Sequence, residues 1–116
     1  MRHRKHQIKL GREQNVRKAL LRALAEGLIL YGHIRTTEAK AKALRTVIEP
    51  MITKAKSNDV NAMRAAKKFL YTEKAIKKLV KEIAPKYQMR HGGYTRIVKL
   101  PARKTDAAKM ARIELV

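Results

Sequence analysis

The sequence predicts an α+β protein in which several helices pack on one face of a small three-stranded sheet. Three observations predict this class. Apolar residues recur at helical spacing between about residues 16 and 83, two segments in the last third of the chain have strand character, and a third strand candidate follows the first helix. The 116 residues suffice for one ordinary domain. Because no internal repeat or linker is visible, we expect a single compact domain over residues 13–116.

The first predicted helix begins at its N-cap, Asn15, and ends near Gly32. Residues three and four positions apart form one apolar stripe, which we expect to face the core: Val16, Ala19, Leu20, Ala23, Leu24 and Leu28. Residues 33–36 follow this helix and are a short strand candidate.

The second predicted helix is capped by Thr37, and Glu38 lies in its first turn, where the helix dipole favours an acidic side chain. Pro50 lies inside the helical pattern, so we expect a kink there rather than the end of the helix. The apolar stripe of this helix consists of Ala41, Leu44, Ile48, Met51, Ile52 and Ala55.

Two shorter helices are predicted next. Residues 57–59 form a turn and cap before a helix that ends near Leu70, with inward side chains at Ala62, Ala66 and Phe69. Thr72 caps the following helix and Pro85 closes it, and its inward side chains are Ile76, Leu79, Val80 and Ile83.

The last third of the chain predicts strands. A Gly-Gly pair at residues 92 and 93 breaks the pattern, and residues 94–100 have the β-branched and aromatic content of a strand. A polar loop follows over residues 101–108. Residues 111–115 alternate strictly between apolar and polar side chains, which is typical of a half-buried strand. We expect these two strands to pair antiparallel through the loop.

The composition indicates a polyanionic partner. Lys and Arg number 29 against nine Asp and Glu, which gives a formal net charge of +20. Such self-repulsion opposes compaction unless a polyanion neutralises it. The absence of Cys excludes disulfide scaffolds, thiolate zinc sites and Cys nucleophiles. The longest apolar run, residues 27–32, is far shorter than the ~20 residues that a membrane span needs, so we expect no membrane partner.

The first twelve residues are predicted to form an extended basic arm. They contain no acidic residue and no hydrophobic periodicity. We expect such an arm to follow a crevice in a large folded RNA and to become ordered on binding, with a steep dependence of affinity on salt.

Side chains that could carry catalysis are sparse. His3 and His6 lie in the arm, where neighbouring cations disfavour a metal ion. No glycine-rich motif that cradles phosphate groups is present. We assign the acidic residues of the helices to ion pairs with nearby basic residues: Glu38, Glu49, Glu73 and Glu82. We therefore expect no enzymatic activity, no metal, no cofactor and no small-molecule substrate.

The arm contains three Arg, and the last third contains Arg90, Arg96, Arg103 and Arg112, interleaved with Gly, His and Tyr. Guanidinium groups grip phosphates bidentately, Gly allows the backbone to approach closely, and His and Tyr rings can stack on unpaired bases. These patterns predict RNA binding by Arg2, His3, Arg4, Lys5, His6, Lys9, Arg12, Arg17, Lys18, Arg22, Arg35, Thr36, Arg90, His91, Gly92, Gly93, Tyr94, Arg96, Arg103 and Lys104. The lysines of the helix after Thr72 fit a solvated face instead: Lys74, Lys77, Lys78 and Lys81.

From the residues alone, both the role of residues 92–96 and the kind of partner have alternative interpretations. Residues 92–96 fit either an RNA contact site, with Tyr94 and Arg96 on one strand face, or a purely structural turn. An architectural DNA-binding nucleoid protein would wedge apolar side chains into the minor groove or dimerise, and a cationic membrane-surface protein would need a free apolar face. No apolar wedge flanked by Arg and no sustained heptad seam is visible, so RNA is the favoured partner.

Several segments, taken in their order, resemble the bacterial large-subunit ribosomal protein seventeen family. They are Met1-Arg2-His3, Ile34-Arg35-Thr36-Thr37, Ala41-Lys42-Ala43-Leu44-Arg45, Glu49-Pro50-Met51-Ile52-Thr53-Lys54-Ala55-Lys56, Gly92-Gly93-Tyr94-Thr95-Arg96 and Met110-Ala111-Arg112-Ile113-Glu114-Leu115-Val116. The Gly-Gly-Tyr-Thr-Arg segment followed by a terminal Ile-Glu-Leu-Val is the most specific of these signals.

The resemblance implies an α+β fold with a small mixed three-stranded sheet and helices on one face. It implies a structural constituent of the large ribosomal subunit, located in the cytoplasm, that binds and stabilises folded large-subunit ribosomal RNA near the outer end of the peptide exit tunnel. Neighbouring large-subunit ribosomal proteins would be its protein partners. It also implies no enzymatic activity and no cofactor.

Overall fold

The computed structural model describes residues 14–57 and 59–116. The basic arm predicted over residues 1–12 lies outside these residues. The elements in chain order are α1 (Gln14–Tyr31), β1 (His33–Thr37), α2 (Glu38–Ala55), α3 (Val60–Phe69), α4 (Glu73–Lys78), a π-helical turn (Leu79–Ile83), α5 (Ala84–Lys86), β2 (Thr95–Leu100) and β3 (Met110–Leu115). None of the described helices is long and apolar enough to cross a membrane.

Three helices begin at the predicted capping side chains. Thr37, Asp59 and Thr72 each accept a hydrogen bond from the backbone N–H three residues later, at 3.3, 2.9 and 3.3 Å. Each cap satisfies an N–H group that has no partner inside its helix. The starts of α2, α3 and α4 are therefore confirmed as local properties of the sequence.

The sheet is antiparallel throughout and has the strand order β1-β3-β2. Ile113 of β3 pairs with Ile34 of β1 on one side and with Ile97 of β2 on the other. The α+β class and the antiparallel β2–β3 pair are confirmed, but the mixed sheet implied by the resemblance is wrong. Since β3 lies between the other two strands and runs opposite to both, β1 and β2 are parallel without being neighbours.

The core lies between one face of the sheet and the helices, with α2 at its centre. Leu44, Ile48 and Ile52 of α2 are fully buried, as is Ile113 on the inner face of β3. The predicted stripe of α2 is confirmed except for Met51, which is only partly buried. The helix continues through Pro50 to Ala55, so proline does not end it.

The buried face of α1 differs from the predicted stripe. Val16, Ala19 and Ala23 are exposed, and the buried side chains are Ala25, Leu28 and Ile29. Apolar residues cover more than one face of this helix, so periodicity alone did not select the face that packs. Asn15 is also not the N-cap, because it lies inside a helix that already includes Gln14.

The close approach of β1 to α1 explains a glycine in the middle of the helix. A Cβ atom built on Gly27 would lie 3.3 Å from the Ile34 Cγ2 atom, closer than most such contacts. A Cβ atom at this position would require the Ile34 side chain to shift by a few tenths of an ångström. The glycine weakens the helix but permits tight packing.

The helix ends at Lys86, so the prediction that Pro85 closes it holds to within one residue. The N–H group of Ala84 bonds to the Leu79 carbonyl five residues back, and the chain stays helical to Lys86. A proline in an α-helix lacks an N–H group and crowds the carbonyl four residues earlier. The π turn shifts the hydrogen-bonding register just before the proline, which allows the helix to continue.

Candidate nucleic-acid interface

The outer face of the sheet, opposite the helices, carries arginines from all three strands. Arg35 of β1, Arg112 of β3 and Arg96 of β2 are exposed, and the register places Arg35 directly opposite Arg112. Arg96 lies directly opposite Glu114. Arg112 was not among the predicted RNA-binding residues. The strict alternation of residues 111–115 was the signal that could have found it, because Arg112 falls on the face opposite Ala111 and the other buried side chains.

One carboxylate faces these three guanidinium groups. Glu114 lies 3.1 Å from the Arg96 Nη2 atom and 4.0 Å from the Arg112 Nε atom. Arg35 forms no ion pair with any side chain in the described part of the protein. The outer face therefore keeps an excess of positive charge.

A groove continues from this face into the loop between β2 and β3. It has a volume of about 390 Å³ and is bordered by Arg35 on the sheet and by Arg103 and Lys104 in the loop. Arg103 lies 3.3 Å from Asp106 in an exposed ion pair within the loop. The structure thus brings two predicted residues of the loop next to the arginines of the sheet.

The segment before β2 is held by α2. The Glu49 carboxylate accepts hydrogen bonds from the Tyr94 N–H at 3.3 Å, the Thr95 N–H at 3.0 Å and the Thr95 hydroxyl at 2.8 Å. Gly92 and Gly93 have φ angles of 118° and 64°, in the left-handed region that favours glycine. The prediction that Glu49 forms an ion pair along its own helix is wrong, because its carboxylate is occupied by β2.

Tyr94 lies in the core and cannot offer its ring to a base. Only 1% of it is exposed, and its ring centroid lies 5.1 Å from that of Tyr87. Its hydroxyl lies 3.1 Å from the hydroxyl of Thr53 and accepts a hydrogen bond from Lys56 at 3.1 Å. The hydrogen bond with Thr53, helped by Lys56, lowers the pKa of Tyr94. The prediction that Tyr94 and Arg96 share an exposed strand face is corrected accordingly.

Arg90 and His91 remain exposed above this anchored segment. The Lys56 ammonium donates to the Arg90 carbonyl at 2.5 Å, and the Arg90 guanidinium lies 5.6 Å from the Tyr87 ring centroid. Burial raises the pKa of Tyr87, whose hydroxyl donates to the Val116 carbonyl at 2.6 Å. The loop of residues 90–93 is therefore a tethered turn whose basic side chains face solvent.

Arg22 is engaged within the protein. Its guanidinium lies 5.7 Å from the Phe69 ring centroid and 5.5 Å from that of Tyr71, and it donates to the Lys68 carbonyl at 3.1 Å. Its role is to join α1 to the end of α3, so we remove it from the proposed RNA-binding set. The other two predicted residues of α1 differ in exposure, since Lys18 is exposed and Arg17 is partly buried.

Two further predictions need correction. Thr36 is buried on the inner face of the sheet, so it cannot contact RNA. Lys78 is not on a solvated face, because its ammonium donates to the Leu30 carbonyl at 2.8 Å and joins α4 to α1. Lys77 is exposed as predicted and lies 3.4 Å from Glu73.

The remaining predicted residues of the arm lie outside the described residues: Arg2, His3, Arg4, Lys5, His6, Lys9 and Arg12. Over residues 14–57 and 59–116, no group of three or more His, Asp or Glu side chains could hold a metal ion. Cationic side chains are exposed on the outer sheet face, together with Val98.

The fold and the charge define a small, strongly basic α+β protein with an arginine-bearing outer sheet face. A family model described as ribosomal protein L17 matches residues 20–116. The chain belongs to the ribosomal protein L17 family, which confirms the resemblance seen in the sequence. It is a structural protein of the ribosome, located in the cytoplasm, and not an enzyme.

Curated relatives match over nearly the whole chain. The chain is 53% identical to large ribosomal subunit protein bL17 of Helicobacter hepaticus over 116 residues, which cover both proteins completely. It is 50% identical to the bL17 protein of Symbiobacterium thermophilum over 108 residues, which cover 93% of this chain and 96% of that protein. It is 51% identical to the bL17 protein of Gemmatimonas aurantiaca over 116 residues, all of this chain and 98% of that protein.

Proposed function

We propose that this protein is a structural constituent of the large ribosomal subunit that binds and stabilises folded large-subunit ribosomal RNA. The observation that carries the proposal is the outer face of the sheet, where three guanidinium groups from three strands face one carboxylate. The family of the chain and the names of its relatives point to the same partner.

The electrostatics favour a large polyanion. The chain has a net charge of +20, and ion pairs in the described part engage only Lys42, Lys77, Arg96, Arg103 and Arg112. RNA phosphates would relieve this self-repulsion, and the release of their counterions would drive binding. The RNA-binding set that we propose comprises the arm residues together with Arg17, Lys18, Arg35, Arg90, His91, Gly92, Gly93, Arg96, Arg103, Lys104 and Arg112.

We also propose how the chain is divided and placed. Residues 1–12 act as a basic arm and residues 13–116 as one domain. The site in the ribosome is near the outer end of the peptide exit tunnel, next to other large-subunit proteins, as the resemblance implies.

Sedimentation tests the main proposal. The tagged protein should migrate with large subunits in sucrose gradients at high salt, and the purified protein should prefer large-subunit rRNA to duplex DNA of equal length. Equal binding to both would indicate the architectural DNA-binding alternative. Migration at the top of the gradient would contradict a role in the subunit.

Cross-linking tests the location. A photoreactive amino acid at His91 should cross-link large-subunit rRNA or ribosomal proteins of the tunnel exit when the ribosomes are illuminated. Cross-links confined to the subunit interface would contradict the proposed position.

A further inference from the structure

We propose that Arg35 and Arg112 together form a binding site for a phosphate group of the RNA backbone. This inference rests on the proposed function and names the part of the surface that holds the RNA. The two side chains lie on neighbouring strands, on the exposed face of the sheet, and are directly opposite one another in the register.

The first step in the argument is the unfavourable energy of this pair. Directly opposite residues in an antiparallel sheet have Cβ atoms about 4.5–5.5 Å apart, and like charges at such positions destabilise the sheet. An arginine facing Thr or Glu would avoid this repulsion. The register therefore gives the free protein a local penalty that a bound anion would remove.

The second step is the surroundings of the pair. Glu114 lies on the Arg96 side, 3.1 Å from Arg96 and 4.0 Å from Arg112. Arg35 reaches no carboxylate among the described residues, and the neighbour of Arg112 on β2 is Val98, which carries no charge. A negative charge is thus missing between Arg35 and Arg112.

The third step is the chemistry of the missing group. Two planar guanidinium groups offer several N–H donors to the oxygens of a phosphate, in a geometry that favours bidentate bonds. Arg35 also borders the groove that leads to Arg103 and Lys104. An RNA strand whose phosphate lies between Arg35 and Arg112 could continue along this groove.

The test compares three substitutions of exposed arginines. Arg35→Gln and Arg112→Gln each remove one charge of the pair, and Arg64→Gln removes an exposed charge on α3 as a matched control. Binding to full-length large-subunit rRNA is measured by filter retention across a range of salt concentrations, and the melting temperature of each free protein is measured by circular dichroism.

We expect the two substitutions in the pair to weaken rRNA binding without lowering the melting temperature. Each substitution in the pair should weaken rRNA binding by about 10- to 100-fold, the range for losing a hydrogen bond to a charged group. It should also reduce the slope of log K against log salt by about 0.7 to 0.9 for each lost phosphate contact. The melting temperatures of these two variants should stay equal to or rise above that of the parent, since a repulsion is removed.

Two outcomes would overturn the site. In the first outcome, the parent binds rRNA, but Arg35→Gln and Arg112→Gln bind it no more weakly than Arg64→Gln does. The proposed function would then stand, but the phosphate site would not. In the other, affinity and melting temperature fall together, which would assign the pair a structural role. Failure of the parent protein to bind rRNA would instead contradict the proposed function itself.

Discussion

The carboxylate of Glu49 fixes the start of β2 from the neighbouring helix. It accepts three hydrogen bonds, from the Tyr94 N–H, the Thr95 N–H and the Thr95 hydroxyl. The bonds span 45 and 46 residues of sequence. No short motif could therefore have shown the role of Glu49, whereas the capping roles of Thr37 and Thr72 were visible within four residues.

Replacing Glu49 should destabilise the protein. Glu49→Ala leaves two N–H groups and a hydroxyl without their acceptor, and we expect a loss of about 1.5–3 kcal/mol, the range for hydrogen bonds to a charged group. Urea unfolding followed by circular dichroism measures this loss. Glu82→Ala is the control, because Glu82 is exposed and a surface change of this kind stays within about 0.5 kcal/mol. Equal effects of the two substitutions would contradict the assigned role.

The turn at Gly93 should tolerate Asn better than Ala. Its φ angle of 64° lies in the left-handed region, where an ordinary side chain costs about 1–2 kcal/mol and Asn is tolerated. Among the described residues beyond its chain neighbours, nothing lies within 4 Å of a Cβ atom built on Gly93, so the cost of a side chain there comes from the backbone conformation. Gly93→Ala should lower the melting temperature and Gly93→Asn should lower it less. The opposite ranking in thermal melts would show that φ is not the constraint.

At the scale of whole elements, the starts of α2, α3 and α4 and the three strands were predictable, whereas the start and the packed face of α1 were not. Caps and strand alternation depend on residues close in sequence, so they could be inferred. The buried face of α1 depends on how β1 and α2 pack against the helix. The Ile34 side chain of β1, for example, lies 3.3 Å from the position that a Cβ atom on Gly27 would take. The same limit applies to Lys78, whose partner is the Leu30 carbonyl of α1.

The helix that begins at Asp59 should make stability sensitive to acid. The hydrogen bond from the Ala62 N–H lowers the pKa of Asp59 below its ordinary value of 3.8. The contribution of this cap to the free energy of unfolding is therefore complete above about pH 4. It is lost as the pH falls through the lower pKa that Asp59 has in the folded state. Asp59→Asn keeps a good N-cap that does not titrate.

We expect Asp59→Asn to melt like the parent near neutral pH and to lose less of its melting temperature on acidification. Thermal melts at a series of pH values between about 2 and 7 measure the difference. Parallel curves for the two proteins would show that this cap does not contribute to acid unfolding.

The packing of α2 and of the π-helical turn should carry a large part of the stability. Leu44, Ile48 and Leu79 are fully buried, so replacing any of them with Ala should cost about 2–5 kcal/mol through lost burial and the cavity that remains. Lys77→Ala, on an exposed position, should cost well under about 1 kcal/mol. Urea unfolding measures the free energy of unfolding of all four variants. If Lys77→Ala destabilised the protein as much as the substitutions of Leu44, Ile48 and Leu79 do, the assigned helix faces would be wrong.

At the scale of the whole molecule, the sequence predicted the family better than the arrangement of the charged side chains on the surface. Charge and arginine content are sums over the chain, so they needed no structure. Strand pairing places Arg112 on the outer face of the sheet. Thr36 and Tyr94 are buried, and Arg22 forms a contact between helices. Which arginines lie opposite one another became visible only once the three strands were paired.

Deleting residues 1–12 should separate folding from binding. The first buried side chain of α1 is Ala25, so we expect the shortened protein to keep its melting temperature. The arm contains five Lys and Arg residues, namely Arg2, Arg4, Lys5, Lys9 and Arg12. Their loss should reduce the slope of log K against log salt for rRNA binding by about 3 to 5 units. An unchanged slope in filter binding would mean that the arm does not touch RNA.

The position of β3 between β1 and β2 has a consequence for the order of synthesis. Translation proceeds from the N-terminus, so the central strand is synthesised after both strands that it joins. His33 can therefore pair with Glu114 only after β3 has been made. Contacts this distant in sequence form late and slowly. A nascent chain that ends before β3 lacks the strand that joins β1 to β2 and cannot form this sheet. Arg35 and Arg112 therefore come to lie opposite one another only after β3 has been translated, and a nascent chain that ends before β3 lacks this pair.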